Sequence, residues 1–256
     1  MPAFPWKRTA IALMLFGSAF GYVEAAVVAY LRLLHEPARQ QFHPGRSSAE
    51  LFPLLTIGQL RASGPDQQRV LAIELGREAA TILMLAAVAF GVARSAGQWA
   101  AAFAIAFGTW DILFYVVLRL LLGWPASLFT WDVLFLIPVP WTAPVLAPVL
   151  VSAAMIGAGV WHLRREARGE PVAIGAAEWI GIHAGALVMV IAFAMDYGNI
   201  LAGGMPQPFH WPVFAAGMAI GVGSYAAGAW RSGQAARNVG AAAHTVDAGG
   251  EAAGLS

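Results

Sequence analysis

The 256-residue chain is 59% hydrophobic and 11% charged, with a net charge of +1 and a mean hydropathy of +0.66. Soluble domains carry about 25% charged residues, so this composition excludes a water-soluble globular protein and indicates several membrane-spanning helices. The absence of cysteine excludes disulfides, thiolate catalysis and any Cys-ligated metal or cluster. The nearly neutral net charge argues against a nucleic-acid partner.

Six segments are apolar over about 20 residues, the length that crosses the hydrocarbon core of a bilayer. They lie near 9–33, 70–94, 98–122, 141–163, 174–200 and 211–230. We therefore predict an all-α, polytopic membrane bundle of six helices in one domain, 1–231, followed by a disordered tail, 232–256, rich in glycine and alanine. Lys7 and Arg8 precede the first segment as in a signal peptide, but its apolar run is too long for one and favours an uncleaved span.

Two connecting segments are long enough to hold structure of their own. Residues 35–69 form a long loop, in which Ser47–Leu60 has the pattern of a short amphipathic helix. Residues 125–138 form a second connection, predicted to be a short interfacial helix that two prolines end. Pro144 and Pro148 lie at the start of the fourth span, so that helix is expected to begin late or to kink.

The basic residues predict the orientation, because arginine and lysine accumulate in cytoplasmic loops. The side that holds both termini carries Lys7, Arg8, Arg94, Arg164, Arg165, Arg168, Arg231 and Arg237. The other side carries Arg39, Arg46, Arg61 and Arg69, all in or next to one loop, and none in its later loops. We therefore predict cytoplasmic termini. The 14 arginines against one lysine, with abundant alanine and glycine, are typical of a GC-rich bacterial genome, which places the chain in a bacterial cytoplasmic (inner) membrane.

Two sequence patterns concern packing and symmetry. Pairs of glycine four residues apart allow close approach of helix backbones and occur at Gly17/Gly21, Gly181/Gly185 and Gly217/Gly221. The hexapeptide Thr-Trp-Asp-Ile-Leu-Phe at 109–114 recurs as Thr-Trp-Asp-Val-Leu-Phe at 130–135. The recurrence is either chance in an aromatic-rich chain or two short helices that present Trp-Asp pairs to one site, and the sequence does not decide between them.

Charged residues stand at the beginning of the second span, where an apolar helix is expected. Glu74, Arg77 and Glu78 are spaced i, i+3 and i+4, so they share one face of the helix. The predicted topology puts them in the outer leaflet. A charge at the centre of a bilayer costs about 2.5–3.5 kcal/mol on insertion scales, so such groups should turn towards other helices.

Almost all ionisable residues of the spans fall in the outer half of the membrane, and only Glu178 and His183 lie deeper towards the cytoplasm. The other candidates for a site are those of the outer half. They are Glu24 on the first span, Asp111, Tyr115 and Arg119 at i, i+4 and i+8 on the third, and Asp196 on the fifth. Asp132 and His210 lie in the adjacent connections and are candidates for the mouth of a cavity. We predict that these groups meet in a polar cavity open to the outer side. In the alternative, the glutamates lie at headgroup level, and pairs such as Glu24–Arg77 and Asp111–Arg119 only fix the helix register.

Three classes of function fit such a cavity. The first is the binding or passage of a small polar ligand, a cation or a proton. The second is a membrane-embedded enzyme that acts on a lipid or isoprenoid at the outer leaflet, with carboxylates as acid–base groups or as ligands of a divalent cation. The third is an accessory subunit of a membrane complex. Membrane lipid is the one partner that the composition itself requires.

No sequence motif decides between these classes. The chain has no DDxxD, HExxH or Gly-x-Ser-x-Gly motif, so whether it is an enzyme, and whether it holds a metal, stays open. Haem is disfavoured, because bis-histidine ligation needs two histidines at matched depth. His183 lies within a span, whereas His162 lies at the cytoplasmic edge.

Overall fold

The structure, a computed structural model, describes residues 5–47, 50–170 and 172–253, and for 236–253 it describes the backbone alone. Within these residues the chain forms eight helices and one two-stranded sheet. The elements are α1 (Trp6–Phe42), α2 (Ile57–Ala62), α3 (Pro65–Val92), α4 (Ala96–Leu122), β1 (Trp131–Phe135), β2 (Trp141–Pro144), α5 (Leu146–Ala167), α6 (Ala176–Ala194), α7 (Tyr197–Leu201) and α8 (Trp211–Ala253).

Six of the described helices, α1, α3, α4, α5, α6 and α8, are long and apolar enough to cross a membrane. Large apolar side chains cover the outside of the bundle, including Phe90 at 78% and Leu120 at 79% exposure. A surface of this kind is stable against lipid and unstable in water. The prediction of an all-α, six-span membrane bundle is therefore confirmed.

Glycine brings the helices together. α4 lies in the middle and packs against α1, α3 and α5, while α6 packs against α8. A Cβ atom built on Gly17 of α1 would lie 2.8 Å from the carbonyl oxygen of Ala106 in α4, and one on Gly185 of α6 would lie 2.7 Å from that of Gly217 in α8. The predicted glycine pairs thus stand where helix backbones touch.

The prediction of an interfacial helix at 125–138 is wrong. Residues 131–135 form β1, which pairs antiparallel with β2 at 141–144, with Asp132 opposite Ala143 and a bulge after Val133. Aromatic and β-branched residues favour a strand, and the prolines that follow cannot continue a helix. α5 accordingly begins late, at Leu146, and not at residue 141. We call the end of the bundle that holds this β-hairpin the hairpin end.

The long loop is shorter than predicted. α1 continues through Pro37 to Phe42, and α3 begins at Pro65, where proline suits the first turn of a helix. The connection is therefore 43–64 and not 35–69. Its helix is α2 and does not extend over Ser47–Leu60, a range of which 48–49 lie outside the described residues.

The last two spans also differ from the prediction at their ends. The fifth ends at Ala194, six residues early, and the short helix α7 follows it. The backbone of α8 stays helical through Ala253, into the tail predicted to be disordered. Alanine, which is abundant there, is the strongest helix former. Residues 254–256 lie outside the described part of the chain.

Candidate functional site

A small cavity of about 70 Å³ lies inside the bundle at the hairpin end. α1, α3, α4 and β1 supply its walls. Its polar lining consists of Glu24, Glu74, Arg77, Glu78, Thr81, Asp111, Tyr115 and Asp132. We call this space the acidic cavity. Seven of the ten predicted site residues line it, although they come from four separate elements.

Arg77 holds α1 and α3 together through two carboxylates. Its guanidinium donates to Glu24 of α1 and to Glu74 of α3, the latter through Nε to Oε2 at 2.9 Å and through a second bond. The side chain of Glu24 is 8% exposed and that of Glu74 is 14% exposed. The Glu24–Arg77 pair that the sequence suggested is therefore present, as part of a buried triad.

Glu78 connects α3 to the hairpin. The backbone N–H of Leu136, directly after β1, donates to both of its carboxylate oxygens, at 3.0 and 2.9 Å. Glu78 is buried. Because the donor is a backbone group, no side-chain pattern in the sequence could have indicated this bond.

The two aspartates of the Thr-Trp-Asp repeat meet in the acidic cavity. Asp111 of α4 accepts a hydrogen bond from the hydroxyl of Ser152 in α5 at 2.8 Å, and Asp132 of β1 accepts one from Tyr115 at 2.9 Å. The two copies lie on a helix and a strand, so the expectation of two short helices is wrong. Trp131 of the second copy packs on the ring of Phe209, at 6.2 Å between centroids, away from the cavity.

Trp110 also lines the acidic cavity, and its indole N–H lacks a partner. The nitrogen is buried, with no hydrogen-bond acceptor among the described residues. An unsatisfied buried donor costs about 1–3 kcal/mol. A water molecule or a ligand in the cavity can accept this bond.

Three predicted residues do not join the site. Arg119, in the last turn of α4, donates to the carbonyls of Gly123 and Pro125, which follow the end of the helix. The predicted Asp111–Arg119 pair is therefore wrong. Asp196 accepts bonds from Asn199 and from the backbone of Gln207, and His210 is exposed immediately before α8.

Two contributors to this region, Ser152 and Arg32, were not predicted from the sequence, whereas Thr81 continues the face of Glu74 and Glu78 at i+7 of the pattern. Ser152 and Thr81 are small buried hydroxyl residues that bond Asp111 and Glu24. For Ser152 the only sequence signal was a polar residue within an apolar span. Arg32 lies near Asp132, and its positive charge favours the ionised form of that carboxyl group. An arginine at the end of an apolar run is itself a signal of function, and it could have been found.

Carboxyl groups outnumber basic groups in the acidic cavity. Five carboxyl groups line it together with a single arginine. Among the described residues, no group of three or more carboxylate or histidine side chains is placed to hold a metal ion. The carboxyl groups are instead distributed around the cavity, and each accepts a hydrogen bond from a protein group, with Arg77 shared by Glu24 and Glu74.

A larger cavity of about 490 Å³ adjoins the acidic cavity. Most of its walls are leucine, proline, valine and isoleucine side chains. They come from α1, α2, α3, α7, the 43–64 connection and the turn between β1 and β2. It shares Glu74, Glu78 and Asp132 with the acidic cavity. We call this larger space the apolar chamber.

Asp132 is expected to make the stability of the folded protein depend on pH. Burial raises the pKa of its carboxyl group from the ordinary 3.8 to about 6, although a hydrogen bond from Tyr115 opposes the rise. The folded state then binds a proton more tightly than the unfolded chain, so stability falls as the pH rises from about 4 to about 6 and is constant above. We expect the free energy of unfolding of the wild-type protein to fall by about 3 kcal/mol over this pH range. Asp132→Asn should abolish this fall, which equilibrium unfolding in mixed micelles measures. A wild-type slope in the variant would contradict the assignment; Asp66→Asn, at an exposed position, is the control.

Comparison of the chain with known protein families, with curated proteins and with solved structures found no match. A fold alone does not establish a function. The geometry and the charged groups of the acidic cavity and the apolar chamber are therefore the basis for inferring a function.

Proposed function

We propose that the chain is a multi-pass protein of a bacterial cytoplasmic membrane whose acidic cavity binds or passes a proton or a small monovalent cation. Its termini are cytoplasmic and the cavity opens to the outer side. The distribution of arginine and lysine supports this orientation, since the two later loops at the hairpin end, 123–140 and 201–210, hold none of them.

The excess of carboxyl groups carries the proposal. Five carboxyl groups around one arginine cannot all be charged in so small a buried cavity, because a buried charge without a counter-ion is very costly. Bound protons or a bound cation neutralise them. The same groups would repel a small anion.

The volume of the cavity limits the size of the ligand. About 70 Å³ holds about two water molecules, each of which takes about 30 Å³ in the liquid. A hydrated proton or an ammonium ion fits, whereas a larger polar ligand needs the helices to move. The scattered carboxylates favour a proton or monovalent ion over a divalent metal, which needs several oxygen ligands together.

Glu78→Gln tests the proposal by infrared spectroscopy. We expect the purified protein to show a carboxylic-acid C=O signal that changes between acidic and neutral pH, and the substitution to remove part of it. Ammonium chloride at constant pH should change the same signal. Tetramethylammonium chloride at equal ionic strength should not, because it is too bulky for the cavity and has no hydrogen-bond donor.

Asp66→Asn is the matched control, since Asp66 lies on the same helix with a side chain that is 87% exposed. It should leave the ammonium response unchanged. A response that Glu78→Gln also leaves unchanged, or an equal response to both cations, would overturn the proposal.

A second function, an enzyme acting on a lipid or isoprenoid, is favoured by one observation. The apolar chamber opens onto Glu78 and Asp132, so a hydrocarbon chain in it would bring its head to carboxyl groups capable of acid–base work. Mass spectrometry of the lipids in proteoliposomes separates the two functions, because only an enzyme changes their composition.

A further inference from the structure

One wall of the apolar chamber is basic. Arg32, His35 and Arg39 are spaced i, i+3 and i+7 on α1, so they lie along one face of this helix, and all three line the chamber. The acidic cavity accounts for none of them. Two arginines and a histidine in a space with mostly apolar walls need their own explanation.

The two arginines have unused hydrogen-bond donors. The Nε atoms of Arg32 and Arg39 are buried and have no acceptor within the described part of the chain. The guanidinium of Arg32 lies over the ring of Trp124 at 4.2 Å. The carboxylate of Glu36 is 3.9 Å from Arg39, beyond hydrogen-bond distance. A guanidinium group with free N–H donors suits a phosphate, because two of its N–H groups can bind two phosphate oxygens side by side.

The chamber also has an acidic side. Glu74, Glu78 and Asp132 line both it and the acidic cavity. A ligand that reaches from the arginines to these carboxyl groups must carry a negative and a positive group close together. A purely anionic ligand would be repelled at one side, and a purely cationic one at the other.

The position of the arginines along α1 selects a lipid. The helix has 37 residues, about 55 Å at 1.5 Å per residue, whereas the hydrocarbon core is about 30 Å thick. With 9–33 in the core, Arg32 lies at the edge of the core, and Arg39 lies about 9 Å beyond residue 33, at the depth of the phospholipid headgroups. The volume of about 490 Å³ lies in the range of ligand sites, about 300–1,000 Å³.

We propose that the apolar chamber binds one zwitterionic aminophospholipid from the surrounding membrane. Arg32 and Arg39 hold its phosphate, the shared carboxyl groups hold its primary ammonium, and a hydrocarbon chain lies along the leucine and proline side chains. This inference rests on the proposed function, because the ammonium is a cation taken by the acidic cavity.

Native mass spectrometry of the full chain in detergent micelles tests the lipid class. Phosphatidylethanolamine, phosphatidylcholine and phosphatidylglycerol with identical acyl chains are each added at equal concentration. We expect phosphatidylethanolamine to bind about tenfold more tightly than either of the others. Phosphatidylcholine has no N–H donor for the carboxyl groups, and phosphatidylglycerol has no cation. Equal retention of all three would overturn the proposal, and so would a preference for phosphatidylglycerol or for free inorganic phosphate.

Arg39→Gln tests the basic wall and keeps a polar side chain of similar length. We expect it to lower the affinity for phosphatidylethanolamine about tenfold. The control is Arg69→Gln, whose side chain is 77% exposed and does not line the chamber. The unfolding midpoint shows whether each variant is folded, and Arg39→Lys, which keeps the charge without the planar fork, should bind with intermediate affinity. Unchanged binding in folded Arg39→Gln would overturn the assignment.

The two proposals fail in different ways. If the lipid preference is absent while the ammonium response of the infrared signal persists, the lipid site is wrong and the cation site stands. If the ammonium response itself is absent, the proposed function fails; a preference for phosphatidylethanolamine that persists then shows that the carboxyl groups bind the ammonium of the lipid and not a free cation.

Discussion

Arg77→Ala is expected to lower the free energy of unfolding by about 3–5 kcal/mol. The substitution leaves Glu24 and Glu74 buried without their shared partner. Breaking a buried ion pair by removing one side is strongly destabilising, because the remaining charge has neither water nor a counter-ion. Equilibrium unfolding in mixed detergent micelles, followed by tryptophan fluorescence, measures the change.

Two controls separate the buried triad from a general effect of losing an arginine. Arg69→Ala removes an exposed pair with Asp66, and exposed pairs contribute about 0–1 kcal/mol. Adding Glu24→Gln and Glu74→Gln to Arg77→Ala should restore much of the lost stability, since no unpaired charge is left. An Arg77→Ala protein as stable as Arg69→Ala would contradict the triad.

Gly185→Leu is expected to destabilise the bundle by about 3 kcal/mol or more, or to prevent α6 from packing on α8. A Cβ atom at this position would meet the backbone of Gly217 at 2.7 Å and that of Gly221. Backbone atoms cannot move aside as a side chain can, so the two helices must separate. The same micelle unfolding experiment gives the magnitude.

Gly223→Leu is the matched control for this contact. Gly223 lies on α8, within the same pair of helices, and a Cβ atom there would meet no other atom within 4 Å. Leucine facing open space on a membrane helix should cost little and can gain helix propensity. Equal losses from Gly185→Leu and Gly223→Leu would show that the glycine contact is not what holds α6 to α8.

The membrane character and the number of spans could be predicted from the sequence because hydrocarbon imposes them locally. A helix must satisfy its own backbone hydrogen bonds in lipid, so about 20 apolar residues suffice to identify it. The same reasoning brought Glu24, Glu78 and Asp111 to the interior. The positions of the helix ends were less certain, since Pro37 does not end α1 and the fifth span ends before Asp196.

The hairpin could not be predicted in the same way. A short apolar segment such as Trp131–Phe135 is compatible with either a helix or a strand. Only its pairing with Trp141–Pro144 makes it a strand. That pairing places the N–H of Leu136 on Glu78 and brings Asp132 to Tyr115. A backbone donor and a contact over many residues leave no periodic pattern in the chain.

The sequence by itself determined that the chain crosses a membrane six times and that its buried acids must face one another, because hydrocarbon penalises every isolated charge. Only the tertiary structure decided which acids meet. It excluded Asp196 and Arg119, whose hydrogen bonds go to residues that follow the ends of α6 and α4. It added Ser152, and also the basic wall at Arg32 and Arg39. The reason is geometric: insertion into a bilayer depends on composition, whereas a cavity depends on which helix faces and loop backbones come within a few ångströms of one another.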